Sequence, residues 1–405
     1  MCRCGVRHGH NSAASWGGLP VVVFFGDDVQ LPPVLASPVY NPSGKCSASM
    51  HGVLVWQQFN CAVHLQQIVR QAEDQQQLKD VLLALREYKA TSLQASWLQN
   101  FQWDNLRLKY GEELLHRMSD KGMFVFPTHE EVWSRNKSKH LELNSEHPIA
   151  KLVSECRGFH SKSSDSEKVG GLQKTPFLCK SAKVMLSVNL CVPYGLFKGA
   201  TGKIVEIIYL NGKWPENSLP DAVMVAFETY KGPAFIQENS KVGSIFPVDR
   251  KIECPCNSCY RKQIPLKLGW ATTIHKCQGM TVGQGEPFNY MYIVINPGAM
   301  SFESRNPGAL FVALSRAKSA GTDLSDLNFA WHSSVLVNQD RICHVVKSPT
   351  VAARTKEIQK ISVLCSQTKD NYSFLKYDPG FHSFPSKGSL QSTLRRIRKT
   401  FQRPL

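Results

Sequence analysis

Three short segments gather the residue types that handle phosphates. In Gly26-Asp27-Asp28-Val29-Gln30-Leu31-Pro32-Pro33-Val34, an acid and an amide follow directly on an apolar run. Such a pair at a strand's exit can address a metal-bound phosphate and its attacking water. The two prolines stiffen the departing loop. In the second segment, Trp270 to Val282, Thr273, His275, Lys276, Gln278 and Gly279 put hydroxyl, imidazole, ammonium and amide groups on one short stretch. Those donors suit the phosphate oxygens of a nucleotide or of a nucleic acid backbone. The third, Gly308 to Lys318, places Ser315-Arg316-Ala317-Lys318 at the end of an apolar run. Arginine matches phosphate geometry bidentately and keeps its charge, so Arg316 suits an arginine finger. Each residue also has an ordinary reading: a strand-to-turn exit for Gly26-Asp27, a satisfied polar helix start for His275, a surface ion pair for Arg316.

Elements that could position these groups are legible around them. Leu19-Pro-Val-Val-Val-Phe-Phe25 is a continuous apolar run that predicts a strand buried on both faces, with Asp27 and Gln30 at its carboxyl end. Leu78, Val81, Leu82 and Leu85 fall at helical spacing within Gln75–Arg86. Met123–Phe126 predicts a short strand, and Thr128 to Glu131 a capping box that opens the next helix. Strand then helix, repeated, is an α/β pattern. From Lys183 to Leu266 short β-like runs alternate with turn residues, and Asn211-Gly212 is a hairpin signal. This stretch predicts a small antiparallel barrel inserted into the α/β part. Helix–strand character returns with Trp270–Val282, Met291–Ile295 and Ala309–Leu314, and the tail after Trp331 shows no clear periodicity.

Composition bounds the possibilities. The 405 residues carry 48 Lys+Arg against 32 Asp+Glu, a formal charge of +16, and are 42 % hydrophobic. That is enough apolar material for sizeable cores, which argues against wholesale disorder. No apolar run reaches the ~18–20 residues of a spanning helix, and Met1-Cys2-Arg3-Cys4 does not lead into a signal core. The 13 scattered cysteines are an odd set, consistent with reduced intracellular thiols. Cys254, Cys256 and Cys259 form a triplet without an evident fourth ligand, as structural zinc would want, and read as a turn-forming insertion. Cys2 and Cys4 with His8 and His10 form another small cluster; no metal is assigned, and a zinc site at the triplet is the alternative reading. From Trp331 to Leu405 there are 13 Lys and Arg against 4 Asp and Glu, ending in a basic block at Thr393–Thr400. The block reads either as a solvated, partly disordered segment or as a polyanion contact.

In order along the chain, the three segments resemble the later motifs of superfamily 1 DNA helicases of the PIF type, which are related to RecD and to the helicases of Helitron transposons. Leu65-Gln-Gln-Ile-Val-Arg70-Gln71 is similar to that family's Arg-Gln motif. Leu196-Phe-Lys-Gly-Ala-Thr-Gly202 is similar to its Asn-Gly-x-x-Gly turn, with Lys198 in place of the usual Asn. The resemblance covers roughly residues 17 to 325. It implies two RecA-like domains with ATP and Mg2+ in the cleft between them, and a motor that moves 5′ to 3′ on one strand. Asp27 and Gln30 would then couple the γ-phosphate to DNA, with Asp27 on the cofactor side. Arg70 and Arg316 would reach the γ-phosphate, and Gln278 and Gly279 would lie near the nucleotide. Thr273, His275 and Lys276 would contact the DNA backbone, while Cys277 stands where Ser is common.

Translated to this chain, the resemblance implies an α/β, RecA-like second motor domain with an inserted SH3-like β-barrel and a remnant of the first motor domain. The expected segments are 1–45 for the remnant, 46–182 and 267–330 for the second domain, 183–266 for the barrel, and 331–405 for a basic, partly disordered tail. Expected partners are single-stranded and forked DNA, with no membrane, for a monomeric protein of the nucleus, or of the mitochondrion, in repair, recombination or telomere maintenance. A Gly-x-x-x-x-Gly-Lys-Ser/Thr loop and an Asp-Glu pair, which supply phosphate and magnesium contacts in such motors, do not occur in the sequence. The expectation is therefore a truncated helicase, inactive by itself. The alternative is a non-catalytic single-stranded nucleic-acid-binding protein derived from one.

Overall fold

The computed structural model describes Trp16, Leu19, residues 21–32, 38–41 and 47–372, apart from 162–165, 167–168, 211–217, 236–238, 253, 255–257, 284–285, 287–289, 322–325, 335–336 and 344–347. Contacts divide the chain into two units: residues 29–38 with 66–355, and residues 1–28, 39–65 and 356–405.

The larger unit begins with three helices, α1 (Gln76–Glu87), α2 (Ser92–Gln99) and α3 (Trp103–Lys121). Leu78, Val81, Leu82 and Leu85 of α1 are all buried, as their spacing predicts. Strand β1 (Gly122–Phe126) is buried along its whole length. Helix α4 (His129–Leu143) opens with the expected capping box, in which Glu131 N donates to Thr128 Oγ1 (3.3 Å) and Thr128 N to Glu131 Oε2 (3.2 Å).

An antiparallel region follows: β2 (Ala150–Lys151), β3 (Glu155–Arg157), β4 (Phe177–Leu178), β5 (Lys183–Leu186), β6 (Thr201–Ile208), β7 (Ala222–Phe227), β8 (Val242–Ile245), β9 (Val248–Lys251), β10 (Tyr260–Gln263) and β11 (Leu266–Leu268). Its main sheet has five strands in the order β11-β5-β6-β7-β8. Strands β9 and β10 join β3 in a separate three-stranded sheet, so this region draws on residues ahead of Lys183 as well. Asn211-Gly212 lies outside the described residues, but β6 and β7 pair antiparallel as a hairpin requires.

The chain then returns through β12 (Ala271–Thr273), β13 (Tyr292–Ile295), helices α5 (Met300–Arg305) and α6 (Ala309–Leu314), and β14 (Phe329–Trp331). These strands form a parallel sheet in the order β12-β1-β13-β14. Its strands are apolar on both faces because helices cover them. Trp331, fully buried, donates its indole N–H to the Leu98 carbonyl (2.9 Å) and so ties the last strand to α2.

The smaller unit corrects two sequence expectations. Val21–Phe25 forms no strand, and Val23 and Phe25 are 63 % and 88 % exposed. An apolar run becomes a buried strand only where neighbouring strands flank it, and none pairs with it among the described residues. Phe24 instead joins Trp16, Trp56 and Phe59 in an edge-on aromatic cluster. Within the tail expected to be basic and partly disordered, where the sequence shows no clear periodicity, Pro349–Asn371 is a 23-residue helix. Its apolar residues do not collect on one stripe, since Ile358 and Val363 are exposed; the periodicity was therefore invisible. Trp56 Nε1 donates to Glu357 (2.7 Å), and Ala62 N to Thr368 (3.0 Å). No helix among the described residues is long and apolar enough to cross a membrane.

A buried carboxyl sets the start of α6. Glu303 accepts from Gly308 N (3.1 Å), Leu310 N (2.9 Å) and the Tyr88 hydroxyl (3.1 Å). Burial pushes its pKa up to about 7 against those donors, which favour the charged form. Burial and the Glu303 charge also hold the Tyr88 phenol protonated and able to donate. The unfolded chain loses the Glu303 proton at an ordinary carboxylate pKa, whereas the folded chain keeps it to about 7. Its contribution to stability is thus fully present below the unfolded pKa and falls as pH rises to neutrality. Urea melts from pH 4.5 to 8 should show the stability of the native protein falling relative to Glu303→Gln across that window. A constant difference would contradict the assignment.

Candidate functional site

Strand β12 is short, and its outer edge is held by a side chain. Asn136 on α4 accepts from Trp270 N and Ala271 N (both 3.1 Å) and donates to the Ala271 carbonyl (3.3 Å). This amide stands in for a strand partner, and sequence reading missed it because a polar residue within a helix carries no such signal. At the end of β12 Thr273 is buried, and the chain enters the 3-10 turn Ile274–Cys277. Ile274 and Cys277 point into the core, which leaves His275 half-buried and Lys276 exposed. Burial pushes the Cys277 thiol up to about 12, so it stays neutral. It donates inward to the Ile274 carbonyl (3.0 Å), so no outward contact depends on it. Burial is the main influence on His275 and lowers its pKa; an Asn306 hydrogen bond opposes this, and the nearby His129 reinforces it.

The chain next turns sharply at Gly279, whose φ of +79° favours glycine. Gln278 is half-buried beside it. Beyond the turn, Val282 N donates to the Arg316 carbonyl (2.9 Å) and Lys318 N to the Val282 carbonyl (3.3 Å), a parallel bridge between the second and third segments.

The Arg70-Gln71 pair closes onto this bridge. Gln71, buried, donates to the carbonyls of Ala317 (2.7 Å) and Ser315 (3.4 Å). Arg70 donates from Nη1 to the Ser315 carbonyl (2.9 Å) and from Nε to Thr281 Oγ1 (3.2 Å). The guanidinium remains half-buried. Burial lowers its pKa, and the Glu286 carboxylate acts in the opposite direction. Gln75 continues the seam by accepting from Ala320 N (3.0 Å).

Arg316 faces the other way. It is 3 % exposed and donates to the Val312 carbonyl (2.9 Å), the Met280 carbonyl (3.4 Å) and Ser315 Oγ (2.8 Å). Its guanidinium braces the main chain on both sides of the bridge. The structure therefore gathers Arg70, Gln278, Gly279 and Arg316 around one seam, with Thr273, His275 and Lys276 one turn earlier in the chain.

Gln30 follows Val29, which is buried against the start of α6. The Val29 carbonyl accepts from Arg354 (3.4 Å), and a Cβ on Gly308 would collide with it. Asp27 belongs to the smaller unit.

The residues present suit a polyphosphate better than a metal. Arg70 keeps a charged, half-exposed guanidinium beside the open turn at Gly279, where a Cβ would meet nothing within 4 Å. No group of three or more His, Cys, Asp or Glu among the described residues could hold a metal ion, and Cys256 lies outside them.

No family model matches the chain. The ATP-dependent DNA helicase PIF1 of Danio rerio is 32 % identical over 189 residues, which are 44 % of this chain and 24 % of that protein. The protein of the same description from Xenopus laevis is 29 % identical over 186 residues, with the same coverage. The chain thus spans about a quarter of the length of the curated relatives it matches. Among solved structures, that of two coordinating Pif1 helicases at forked double-stranded DNA matches 86 % of this chain and 67 % of that one, with TM-score 0.53 and 20 % identity. The Pif1 helicase of Candida albicans matches with TM-score 0.52 and 19 % identity, over 83 % of this chain and 67 % of that one. These likenesses show a shared mixed α/β fold.

The seam makes a direct prediction. Gln71→Ala strips one buried carbonyl of its side-chain donor and weakens another, which should cost about 1–3 kcal/mol in urea denaturation. Arg70→Ala should cost less, because Gln71 still donates to the Ser315 carbonyl and Thr281 is only half-buried. A Gln71→Ala variant within about 0.5 kcal/mol of the native protein, the scatter of neutral surface changes, would show that the seam is not holding the site.

Proposed function

We propose that this chain, a relative of the PIF-type DNA helicases, is the C-terminal motor part of an ATP-dependent 5′-to-3′ DNA helicase that grips single-stranded and forked DNA. The observation that carries this reading is the Arg70-Gln71 clamp on residues 315–317, which joins segments far apart in sequence into one phosphate-suited seam. On this reading Arg70 contacts the γ-phosphate, with Gln278 and Gly279 beside the nucleotide. Arg316, turned into the core, holds the seam in shape. Asp27 and Gln30 belong to the segment that couples nucleotide to DNA, and Thr273, His275 and Lys276 to the strand-binding surface. ATP bound with Mg2+ supplies the phosphoanhydride whose hydrolysis drives movement. The five-stranded antiparallel sheet serves as the SH3-like module that helps hold the strand, and residues 1–45 belong to the first motor domain. A monomeric nuclear protein in genome maintenance follows from the same reading.

The 405 residues contain neither a Gly-x-x-x-x-Gly-Lys-Ser/Thr loop nor an Asp-Glu pair, and Mg2+ needs such acids. We infer that the chain by itself does not hydrolyse ATP. That observation also favours the second reading, a single-strand-binding protein without catalysis. The two differ when a P-loop domain is supplied in trans: only a motor part would change its strand affinity with ATP. The test is a purified-chain assay with and without oligonucleotide. Salt-sensitive single-strand binding without ATP turnover is the expected result. DNA-stimulated hydrolysis that disappears in Arg70→Ala would overturn the inactivity, and absence of strand binding would overturn the whole reading.

A further inference from the structure

One acidic side chain folds back onto the seam. Lys318 follows residues 315–317 and is placed by the main chain. Its N–H donates to the Val282 carbonyl (3.3 Å), and the next amide, Ser319 N, donates to Asn328 Oδ1 (3.1 Å). Its aliphatic stem lies against Gly283, where a Cβ would come within 3.0 Å of Lys318 Cδ and where the φ of +152° favours glycine. The chain leaves the seam at Gly283 and returns at Tyr290, whose carbonyl accepts from Gly283 N (3.0 Å). Between them Glu286 N donates to the Gly283 carbonyl (3.3 Å), and the Glu286 carboxylate reaches Lys318 Nζ (2.8 Å).

Two cations therefore flank the turn at residues 281–283. Arg70 is bonded to Thr281 Oγ1 on one side, and Lys318 to the Val282 carbonyl on the other. The Glu286 oxygen sits on Lys318 as an oxygen of a bound anion would. The same carboxylate acts on Arg70, whose pKa burial lowers and Glu286 raises. The hold is a weak one: the Lys318 and Glu286 side chains are 41 % and 21 % exposed, and water screens a pair of that kind. A polyphosphate brings several charges and more acceptor oxygens than one carboxylate, so it competes well for both cations.

We propose that Lys318 is a second cation of the polyphosphate site at the Arg70 seam, and that Glu286 is its internal competitor, a carboxylate that leaves Lys318 when a triphosphate binds. The proposal rests on the polyphosphate reading of the seam given above and adds to it a residue and a threshold. Arg70 supplies directed hydrogen bonds, whereas Lys318 supplies a point charge. Glu286 sets how much phosphate is needed to fill the site and takes no part in chemistry.

The test is calorimetric titration of the full chain with tripolyphosphate at low salt and without DNA. Glu286→Gln keeps the side chain's size, removes its charge and should tighten binding about two- to fivefold, the strength of a partly exposed ion pair. Lys318→Gln should weaken binding, Lys318→Arg should retain it, and the Glu286→Gln gain should shrink when combined with Lys318→Gln. Glu206→Gln on β6, which removes the partner of Lys180 (3.0 Å) and changes the net charge equally, should bind as the native chain does. Urea melts confirm that each variant is folded; should Lys318→Gln fail to fold, Glu286→Gln against Glu206→Gln decides the matter. Native affinity in Glu286→Gln, or an equal gain in Glu206→Gln, would overturn the competitor, and native affinity in Lys318→Gln would overturn the second cation. In either case weaker binding by Arg70→Ala would leave the polyphosphate reading of the seam standing. Absence of tripolyphosphate binding, or binding that Arg70→Ala does not weaken, would overturn that reading and this proposal with it.

Discussion

Two side chains that donate to main-chain carbonyls hold the candidate site together. Gln71 and Arg70 precede α1, while Ser315, Arg316 and Ala317 follow α6, so their contacts close a loop of more than two hundred residues. Without them the turn at residues 279–282 would be tied to residues 315–318 by one parallel bridge and by Arg316 bracing it from inside. The amide at 71 is sunk into this contact, whereas the Arg70 guanidinium keeps part of its surface in solvent. One adjacent pair therefore divides the labour: the amide builds the seam, and the charge stays at hand for an anion. Glu303 plays the supporting role at the other end of α6 by satisfying the N–H groups that a helix start leaves open.

Much of the fold was legible because local pattern and tertiary context agree. The α1 stripe, the capping box at Thr128, and the strands at Met123, Met291, Val184 and Ala222 all stand close to where their periodicity puts them. The failures have physical causes. Val21–Phe25 has the composition of a buried strand, but a strand also needs ladder partners, and composition cannot supply them. The Pro349–Asn371 helix has no apolar stripe for a pattern to reveal.

At the site, the segments were legible and the directions of their side chains were not. The order of the three motifs pointed to one phosphate-handling surface, and the structure places Gln278, Gly279, Arg316 and Arg70 around one seam. Whether an arginine after an apolar run faces solvent or core depends on which carbonyls lie near it. Arg316 finds three acceptors behind it and turns inward. Asn136 was missed for a related reason, since its partners lie on a strand more than a hundred residues away.

The most direct test of the seam is native-state amide hydrogen exchange on Gln71→Ala beside the native chain. Exchange at the Val282 and Lys318 amides, which form the bridge, should quicken, while the Phe124 amide, bonded to the Trp270 carbonyl in the central sheet, stays protected. That pattern would show that the clamp, and not the sheet, assembles the site. Unchanged exchange at Val282 and Lys318, or loosening that spreads equally to Phe124, would contradict the account.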